Sequence, residues 1–247
     1  MPRRLLAIFF CGVMGLANAA HAGQTTWHFD NLNHIGGFTA TAEGHPALVD
    51  GPAGKAIRFD GRGDSLFIDG RPLVGDAAFT AEVVFKPEGG PQAQRFMHIA
   101  ETDPATGLDT PADGANDTNG RFMFEIRVAD GYWYLDTYLK SRAGGQTLAF
   151  PDRKYPLGQW YAVAQTYDGK TYRAYVNGVL QGEAEVAFTP HGPGHVRVGA
   201  RMNRSFYFTG SVAEARFTDS ALAPDALLSV DDLKFQDTRN GYGRRKP

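Results

Sequence analysis

Short runs of β-branched and aromatic residues, separated by turn dipeptides, are the feature that most limits how this chain can fold. The clearest case is a series of three runs, residues 160–167, 171–176 and 179–186, joined by Asp168-Gly169 and Asn177-Gly178. Asp-Gly and Asn-Gly favour the positive φ angles of tight hairpin turns. The series therefore predicts two successive antiparallel hairpins.

The same pattern continues along most of the chain. Further runs with strand character lie at residues 55–59, 65–68, 79–85, 95–101, 121–128, 132–140, 196–202 and 206–217. With 30 glycines and 14 prolines in 247 residues, turn formers are frequent enough to separate many short strands. The sequence predicts an all-β, two-sheet antiparallel sandwich. A short C-terminal helix is predicted over residues 224–235, which begin with Pro224 and Asp225.

The N-terminus has the pattern of a secretory leader. Arg3 and Arg4 precede an apolar run over residues 5–17, and Ala20-His21-Ala22 offers small residues at a cleavage site. We therefore expect a signal peptide over residues 1–22, a folded domain over 23–235 and a basic tail over 236–247. The mature protein would be secreted or periplasmic. It would have no membrane span, because no later run is apolar for about 20 residues.

Cysteine content and charge narrow the possible partners and cofactors. The single cysteine, Cys11, lies in the predicted leader, so the mature domain would have neither disulfides nor cysteine-bound metal. The formal net charge is −2, and loss of Arg3 and Arg4 would lower it to −4. This mild acidity argues against nucleic acid as a partner.

Several segments, taken in order, carry a family resemblance. They are residues 55–61 with 64–68, 79–87, 157–169 with 175–178, 208–217, and 221–224. Together they resemble the laminin G type 3 family of concanavalin A-like jelly rolls, over about residues 27–228. The resemblance implies a jelly-roll sandwich. It does not choose a function, since this fold serves lectins, carbohydrate-binding modules, adhesion domains, glucanases and polysaccharide lyases.

The resemblance also implies a structural calcium ion between the first strand and a late strand. The matching acids are Asp30 and Glu214, with backbone carbonyl oxygens near Gly51 completing an oxygen shell. Ala213 stands where the family often has an acid. A second possible position is the loop that carries Asp103, Asp109, Asp113 and Asp117.

A candidate binding surface follows from strict alternation over residues 132–140. Trp133, Leu135, Thr137 and Leu139 would face the core, which leaves Tyr134, Asp136, Tyr138 and Lys140 on an open, concave face. Glu125 and Arg127 on the preceding strand share that face by parity. Later predicted strands would add Arg201 and Asn203, and residues 95–101 would add His98 or, on the other parity, Glu101.

These side chains suit a sugar ligand. Aromatic rings stack on the apolar faces of sugars, and carboxylate, amide and guanidinium groups bond to hydroxyls. We therefore expect the open face to bind a polysaccharide through eight residues: Glu125, Arg127, Tyr134, Asp136, Tyr138, Lys140, Arg201 and Asn203. The alternative is a solvated face held by weak cross-strand ion pairs, such as Arg127 with Asp136.

Two other functions stay open. Glu125-Ile126-Arg127, His98, and Tyr138 with Lys140 resemble motifs of the jelly-roll alginate lyases, although Met123 and Phe96 stand where those enzymes have arginine and glutamine. That resemblance implies β-elimination on a uronate-containing glycan, with His98 as the base and Tyr138 as the acid. A protein-adhesion domain that uses loops at the sandwich edge is the other alternative.

Overall fold

The computed structural model describes residues 23–109, 120–231 and 233, and these residues form mainly β-strands. The strands are β1 (Gln24–His28), β2 (His34–Ile35), β3 (Phe38–Glu43), β4 (Ala47–Gly51), β5 (Gly54–Asp60), β6 (Ser65–Ile68), β7 (Phe79–Pro87), β8 (Ala93–Glu101), β9 (Arg121–Ala129), β10 (Tyr132–Lys140), β11 (Gly145–Ala149), β12 (Tyr155–Pro156), β13 (Tyr161–Tyr167), β14 (Thr171–Val176), β15 (Val179–Glu185), β16 (Gly194–Val198) and β17 (Thr209–Thr218).

The strands form two antiparallel sheets. The first has the order β15-β14-β13-β7-β17-β5-β4, and β1 pairs with the second half of β17. The second has the order β11-β10-β9-β8-β16-β6-β3-β2, and β12 pairs with β10. Neighbours in each sheet are often far apart in sequence, as expected for a jelly roll. The predicted all-β, two-sheet sandwich is confirmed.

An aromatic core fills the space between the sheets. Phe85 of β7 stacks on Phe96 of β8, with ring centroids 4.2 Å apart and ring planes 2° from parallel. Trp133 of β10 is fully buried and packs edge-on against Phe85 at 5.1 Å and Tyr161 at 4.9 Å. Such side chains each bury a large apolar area. The described residues include no cysteine, so this aromatic core, and not a disulfide, holds the two sheets together there.

Both predicted hairpins are present, and their turns differ. At Asn177-Gly178 both residues have positive φ, 48° and 74°, as a type I′ turn requires. At Asp168-Gly169 only Gly169 has positive φ, and Asp168 Oδ1 instead accepts the backbone N–H groups of Lys170 and Thr171. The Asp168 carboxylate thus closes this turn, whereas the sequence predicts positive φ angles in both turns.

The helix predicted over residues 224–235 is interrupted within the described residues. A 3₁₀ helix covers Pro224–Ala226 and ends because Leu227 is extended, with φ −72° and ψ 155°. Helical backbone returns at residues 230, 231 and 233. The predicted leader over residues 1–22 and tail over 236–247 lie outside the described residues. Within the described part of the chain, no helix has the length and apolar character needed to cross a membrane.

Candidate functional site

Strand β10 has the predicted alternation of core-facing and outward-facing side chains. Trp133, Leu135, Thr137 and Leu139 are all fully buried on the core side. The opposite side chains point away from the core and meet those of β9, since Asp136 pairs with Glu125, and Tyr138 with Met123. We call this outer surface of the second sheet the open face.

The open face contains a cavity of about 220 Å³ between β8, β9, β10, β11 and the segment after β16. Its described lining is Arg95, Arg121, Met123, Glu125, Arg127, Asp136, Tyr138, Thr147 and Arg201. Five predicted site residues, Glu125, Arg127, Asp136, Tyr138 and Arg201, are therefore brought together. We call this space the arginine cavity.

Two carboxylates are held between two arginines on the floor of the cavity. Arg95 Nη2 lies 2.7 Å from Glu125 Oε2, and Arg127 Nη2 lies 2.7 Å from Asp136 Oδ2. Arg127 Nη2 also lies 3.6 Å from Glu125 Oε2, so it bridges the two acids. The Arg127–Asp136 ion pair expected for a merely solvated face is thus present, but here both acids are buried. Buried pairs carry a desolvation cost that exposed pairs lack.

Burial sets the protonation of both acids. It raises the pKa of Glu125 to about 7 from its ordinary value of 4.5, against the opposing effect of Arg95. It also raises the pKa of Asp136, while Arg127 and Arg95 act in the other direction. Near neutral pH the cavity therefore holds Glu125 in both its neutral and its charged form.

Tyr138 supplies the aromatic surface of the cavity. It is half-buried, and the Arg121 guanidinium carbon lies 5.0 Å from its ring centroid. Tyr134 and Lys140 are half-buried on the same strand and the same side, but they are not part of the cavity lining. The predicted set on β10 thus divides into lining residues and neighbours.

His98 lies beneath the surface. It is 0% exposed, and its Nδ1 accepts the backbone N–H of Met202 at 3.0 Å, which places the proton on Nε2. Burial, reinforced by Arg121 and other nearby arginines, lowers the pKa of His98 well below its ordinary value. In this arrangement the lone pair of Nδ1 is already used and Nε2 is enclosed. The geometry gives no support to His98 as a base that meets a substrate.

Arg201 and Asn203 do not lie on a strand, so the prediction that strand alternation continues through them is wrong. Strand β16 ends at Val198, and Gly199 has a φ of 85°, so the chain turns away and the predicted alternation stops there. Arg201 reaches the arginine cavity, whereas Asn203 is exposed and accepts a hydrogen bond from Ser205. Met202, between them, is buried, and its backbone N–H donates to His98 Nδ1.

Arg95 lines the cavity, but side-chain alternation along its strand did not predict it as a site residue. A β-bulge interrupts the pairing of β8 with β9 between Arg95 and Met97, so Phe96 is the extra residue. Arg95 then faces the open side opposite Glu125, and His98 faces it opposite Met123, although they are three residues apart. Strict alternation would have put them on opposite faces. Arg121, also missed, shares the parity of Glu125 and could have been found from it.

A second cavity of about 310 Å³ lies on the open face nearer β3 and β6. Its described lining is Thr41, Glu43, Phe67, Leu108, Asp109, Arg197, Met202 and Arg204. Glu43 accepts hydrogen bonds from Arg197 at 2.7 Å and from Arg204 at 2.8 Å and 2.9 Å. These contacts lower the pKa of Glu43 to about 2 although its partial burial opposes them. The described lining here has two acids, Glu43 and Asp109, for two arginines, whereas the arginine cavity has two acids for four arginines.

The predicted calcium ligands lie near the C-terminal end of β1: Glu214, in the middle of β17, pairs with His28, and Asp30 follows β1. Glu214 Oε2 is 3.3 Å from His28 Nδ1, and Asp30 is exposed and accepts a hydrogen bond from Asn31. Among the described residues no group of three or more His, Cys, Asp or Glu side chains could hold a metal ion. Two carboxylates are a small part of the six to eight oxygens that calcium takes. Calcium at this position stays a prediction, which melting with and without a chelator would test.

Comparison with known proteins places this architecture in a family. The model of the laminin G type 3 family, in the concanavalin A-like lectin/glucanases superfamily, matches residues 60–227. The chain belongs to this family. The match includes β6 to β17 and with them every strand that lines the arginine cavity.

Individual relatives share parts of this architecture. Pappalysin-1 is 26% identical in Mus musculus and 28% identical in Homo sapiens, over 136 residues that make up 51% of this chain. The match spans 8% of the length of each of these proteins. Among solved structures, domain 4 of AbnA, a GH43 extracellular arabinanase from Geobacillus stearothermophilus, was determined in complex with arabinotriose. It is 22% identical, with a TM-score of 0.61 over 86% of this chain and 98% of that one.

A more distant structure shares the same fold. The binding domain of Paraclostridial Mosquitocidal Protein 1 is 12% identical, with a TM-score of 0.55 over 89% of this chain and 52% of that chain. At these identities the two solved structures show that this chain shares their fold. They do not assign it a ligand.

Proposed function

We propose that this protein is a carbohydrate-binding domain that engages an extracellular polysaccharide at the arginine cavity. The observation that carries the proposal is the composition of that cavity. Tyr138 offers a ring for stacking, Glu125 and Asp136 offer acceptors, and Arg95 and Arg127 offer donors. Sugars need this combination, because each unit has apolar ring faces and hydroxyls that both donate and accept hydrogen bonds.

The family adds general support. Its superfamily is named for lectins and glucanases, and the structure of the arabinanase domain with the same fold was determined in complex with arabinotriose. A fold alone does not assign a ligand. The proposal therefore rests on the cavity, which lies on a sheet whose other face packs in the protein core.

Retention in polysaccharide-containing native gels tests the proposal directly. We expect at least one of arabinan, xylan, alginate, polygalacturonate and glucuronan to retard the protein, and Tyr138→Ala to abolish the retardation with little change in Tm. Trp160→Ala serves as the control, because Trp160 lies outside the cavity and packs with Lys86 of β7. Normal retention of the Tyr138→Ala protein would refute the assignment of this site.

A further inference from the structure

Two arginines of the cavity contain buried N–H groups that lack an acceptor. Arg95 Nε and Nη1, and Arg127 Nη1, are buried and have no hydrogen-bond partner among the described residues. In each guanidinium, Nη2 pairs with a carboxylate oxygen 2.7 Å away, Glu125 Oε2 for Arg95 and Asp136 Oδ2 for Arg127. Buried charged donors without an acceptor are costly, and in folded proteins each such group calls for an explanation.

Both guanidinium groups are fixed before any ligand arrives. The Phe206 ring centroid lies 3.9 Å from the guanidinium carbon of Arg95, and the Arg95 backbone N–H donates to the Phe206 carbonyl at 2.9 Å. Phe206 has a φ of 54°, which is rare for a bulky residue and is found where the surroundings enforce it. Arg127 is held by its bridge to Asp136 and Glu125. Fixed donors lose little conformational entropy on binding.

The unused donors select for an anion with two oxygens. A guanidinium can donate hydrogen bonds and cannot accept them, so the O–H donor of a sugar hydroxyl finds no acceptor on it. A carboxylate only accepts, has the opposite charge and has two oxygens, so it can accept from an unused donor of each arginine. Arg121 and Arg201 also line the cavity, but they take part in other interactions, so the argument rests on Arg95 and Arg127.

The acids of the cavity do not exclude such a ligand. Burial raises the pKa of Glu125 to about 7, so a large fraction of this side chain is uncharged near neutral pH. The groups that face Glu125 are Arg95, Arg127 and Arg201, which favour its charged form, and Asp136, which opposes it. When Glu125 is protonated, Arg95 loses its counter-charge and attracts an incoming carboxylate more strongly.

We propose that the arginine cavity recognises the carboxylate of an acidic sugar unit, a uronate in a polysaccharide chain, through Arg95 and Arg127. This inference rests on the proposed carbohydrate-binding function and names its ligand class. Binding involves no covalent step.

The test compares two polymers with the same backbone, polygalacturonate and its methyl ester. We expect the wild-type protein to bind polygalacturonate about tenfold more tightly than the ester, since esterification removes the charge and one acceptor oxygen that a charge-assisted hydrogen bond uses. Arg127→Gln should remove this preference, and Arg127→Lys, which keeps the charge without the fixed Nη1 donor, should keep part of it. Arg173→Gln is the matched control, because Arg173 is an ion-paired arginine on the first sheet. It should behave as wild type.

The outcomes separate this inference from the function on which it rests. Retention by neutral polysaccharides with no preference for polygalacturonate would overturn the acidic ligand and sustain carbohydrate binding. Retention by no polymer of the panel would overturn both. An equal loss of polygalacturonate binding in the Arg127→Gln and Arg173→Gln proteins would show attraction by overall charge and would overturn the inference. If Arg127→Gln does not fold, Arg127→Lys decides the same question.

A pH series gives a second, independent measure. Polygalacturonate stays ionised between pH 6 and pH 8, so any change in its binding over this range comes from the protein. We expect affinity to fall severalfold as the pH rises and Glu125 ionises, because the Glu125 carboxylate then competes for Arg95. In the Glu125→Gln protein the affinity should stay constant. A rise with pH, or the same fall in both proteins, would contradict the proposal.

Discussion

Glu125 is expected to make the fold less stable as the pH rises, and Glu125→Gln should remove this dependence. Burial raises its pKa from 4.5 to about 7 in the folded chain. The folded state therefore holds the proton more tightly than the unfolded state. The stability that Glu125 contributes is complete below about pH 4.5 and is lost as the pH rises to about 7, the opposite of a carboxylate stabilised by an exposed ion pair.

The size of the effect follows from the two pKa values. A change from 4.5 to about 7 corresponds to roughly 3 kcal/mol in the free energy of unfolding, of which about 2.5 kcal/mol falls between pH 5 and pH 8. The Glu125 side chain is 4% exposed, so solvent screening reduces this little. Asp136 pairs with Glu125 across the strands and its charge adds to the raised pKa of Glu125, so part of the effect belongs to the pair. We expect about 1–2.5 kcal/mol for Glu125 alone.

Urea unfolding of the wild-type and Glu125→Gln proteins at pH 5, 6, 7 and 8 measures this contribution. At pH 5 the amide closely resembles the protonated acid, so the two free energies of unfolding should be similar. The Glu125→Gln protein should then gain about 1–2.5 kcal/mol relative to wild type by pH 8. Glu183→Gln, which removes an exposed carboxylate from β15, provides the baseline. A difference that is constant, or that shrinks as the pH rises, would refute the assignment of a raised pKa to Glu125.

Two further predictions concern what holds the sheets in place. Glu82→Ala removes the buried partner of Arg216, whose Nε lies 2.5 Å from Glu82 Oε2. In urea unfolding, this change should lower the free energy of unfolding by about 3–5 kcal/mol. A loss below about 1 kcal/mol would mean that the pair behaves as an exposed one. Trp133→Ala empties the core next to Phe85 and should cost about 3–5 kcal/mol in the same assay. The second value would be contradicted by an unchanged unfolding midpoint.

The sequence predicted the fold and one strand of the site because their patterns are local. Along β10 no residue interrupts the period of two, so the burial of Trp133 and its alternates follows from side-chain alternation alone. The Asn177-Gly178 turn likewise depends on the φ preferences of two adjacent residues. Features of this kind need no knowledge of distant partners, and they were predicted correctly.

The rest of the site depends on places where the period breaks. The bulge at Phe96 reverses the parity of Arg95, and the left-handed Gly199 ends the strand before Arg201 and Asn203. Neither break has a strong local signal, because phenylalanine is an ordinary strand residue and glycine at that point is compatible with an uninterrupted strand. Both breaks are determined by tertiary packing. Side-chain alternation therefore predicts most of the lining on β9 and β10 but not Arg95 of β8, and Arg201 lines the cavity from outside the strand predicted for it.

That packing also explains why the bulge is stable enough to support a site. The extra residue, Phe96, is buried in the core, where it stacks on Phe85 of the first sheet. Close by, Gln165 of the first sheet reaches across the core and donates to the main-chain carbonyl of Met123 at 3.0 Å, and the Tyr172 hydroxyl donates to Gln165 at 2.6 Å. The first sheet thus contacts both strands of the bulged pair from below. Because these contacts fix β8 and β9 from the core side, Arg95 and Glu125 can be held on the open face at the spacing that the proposed carboxylate recognition needs.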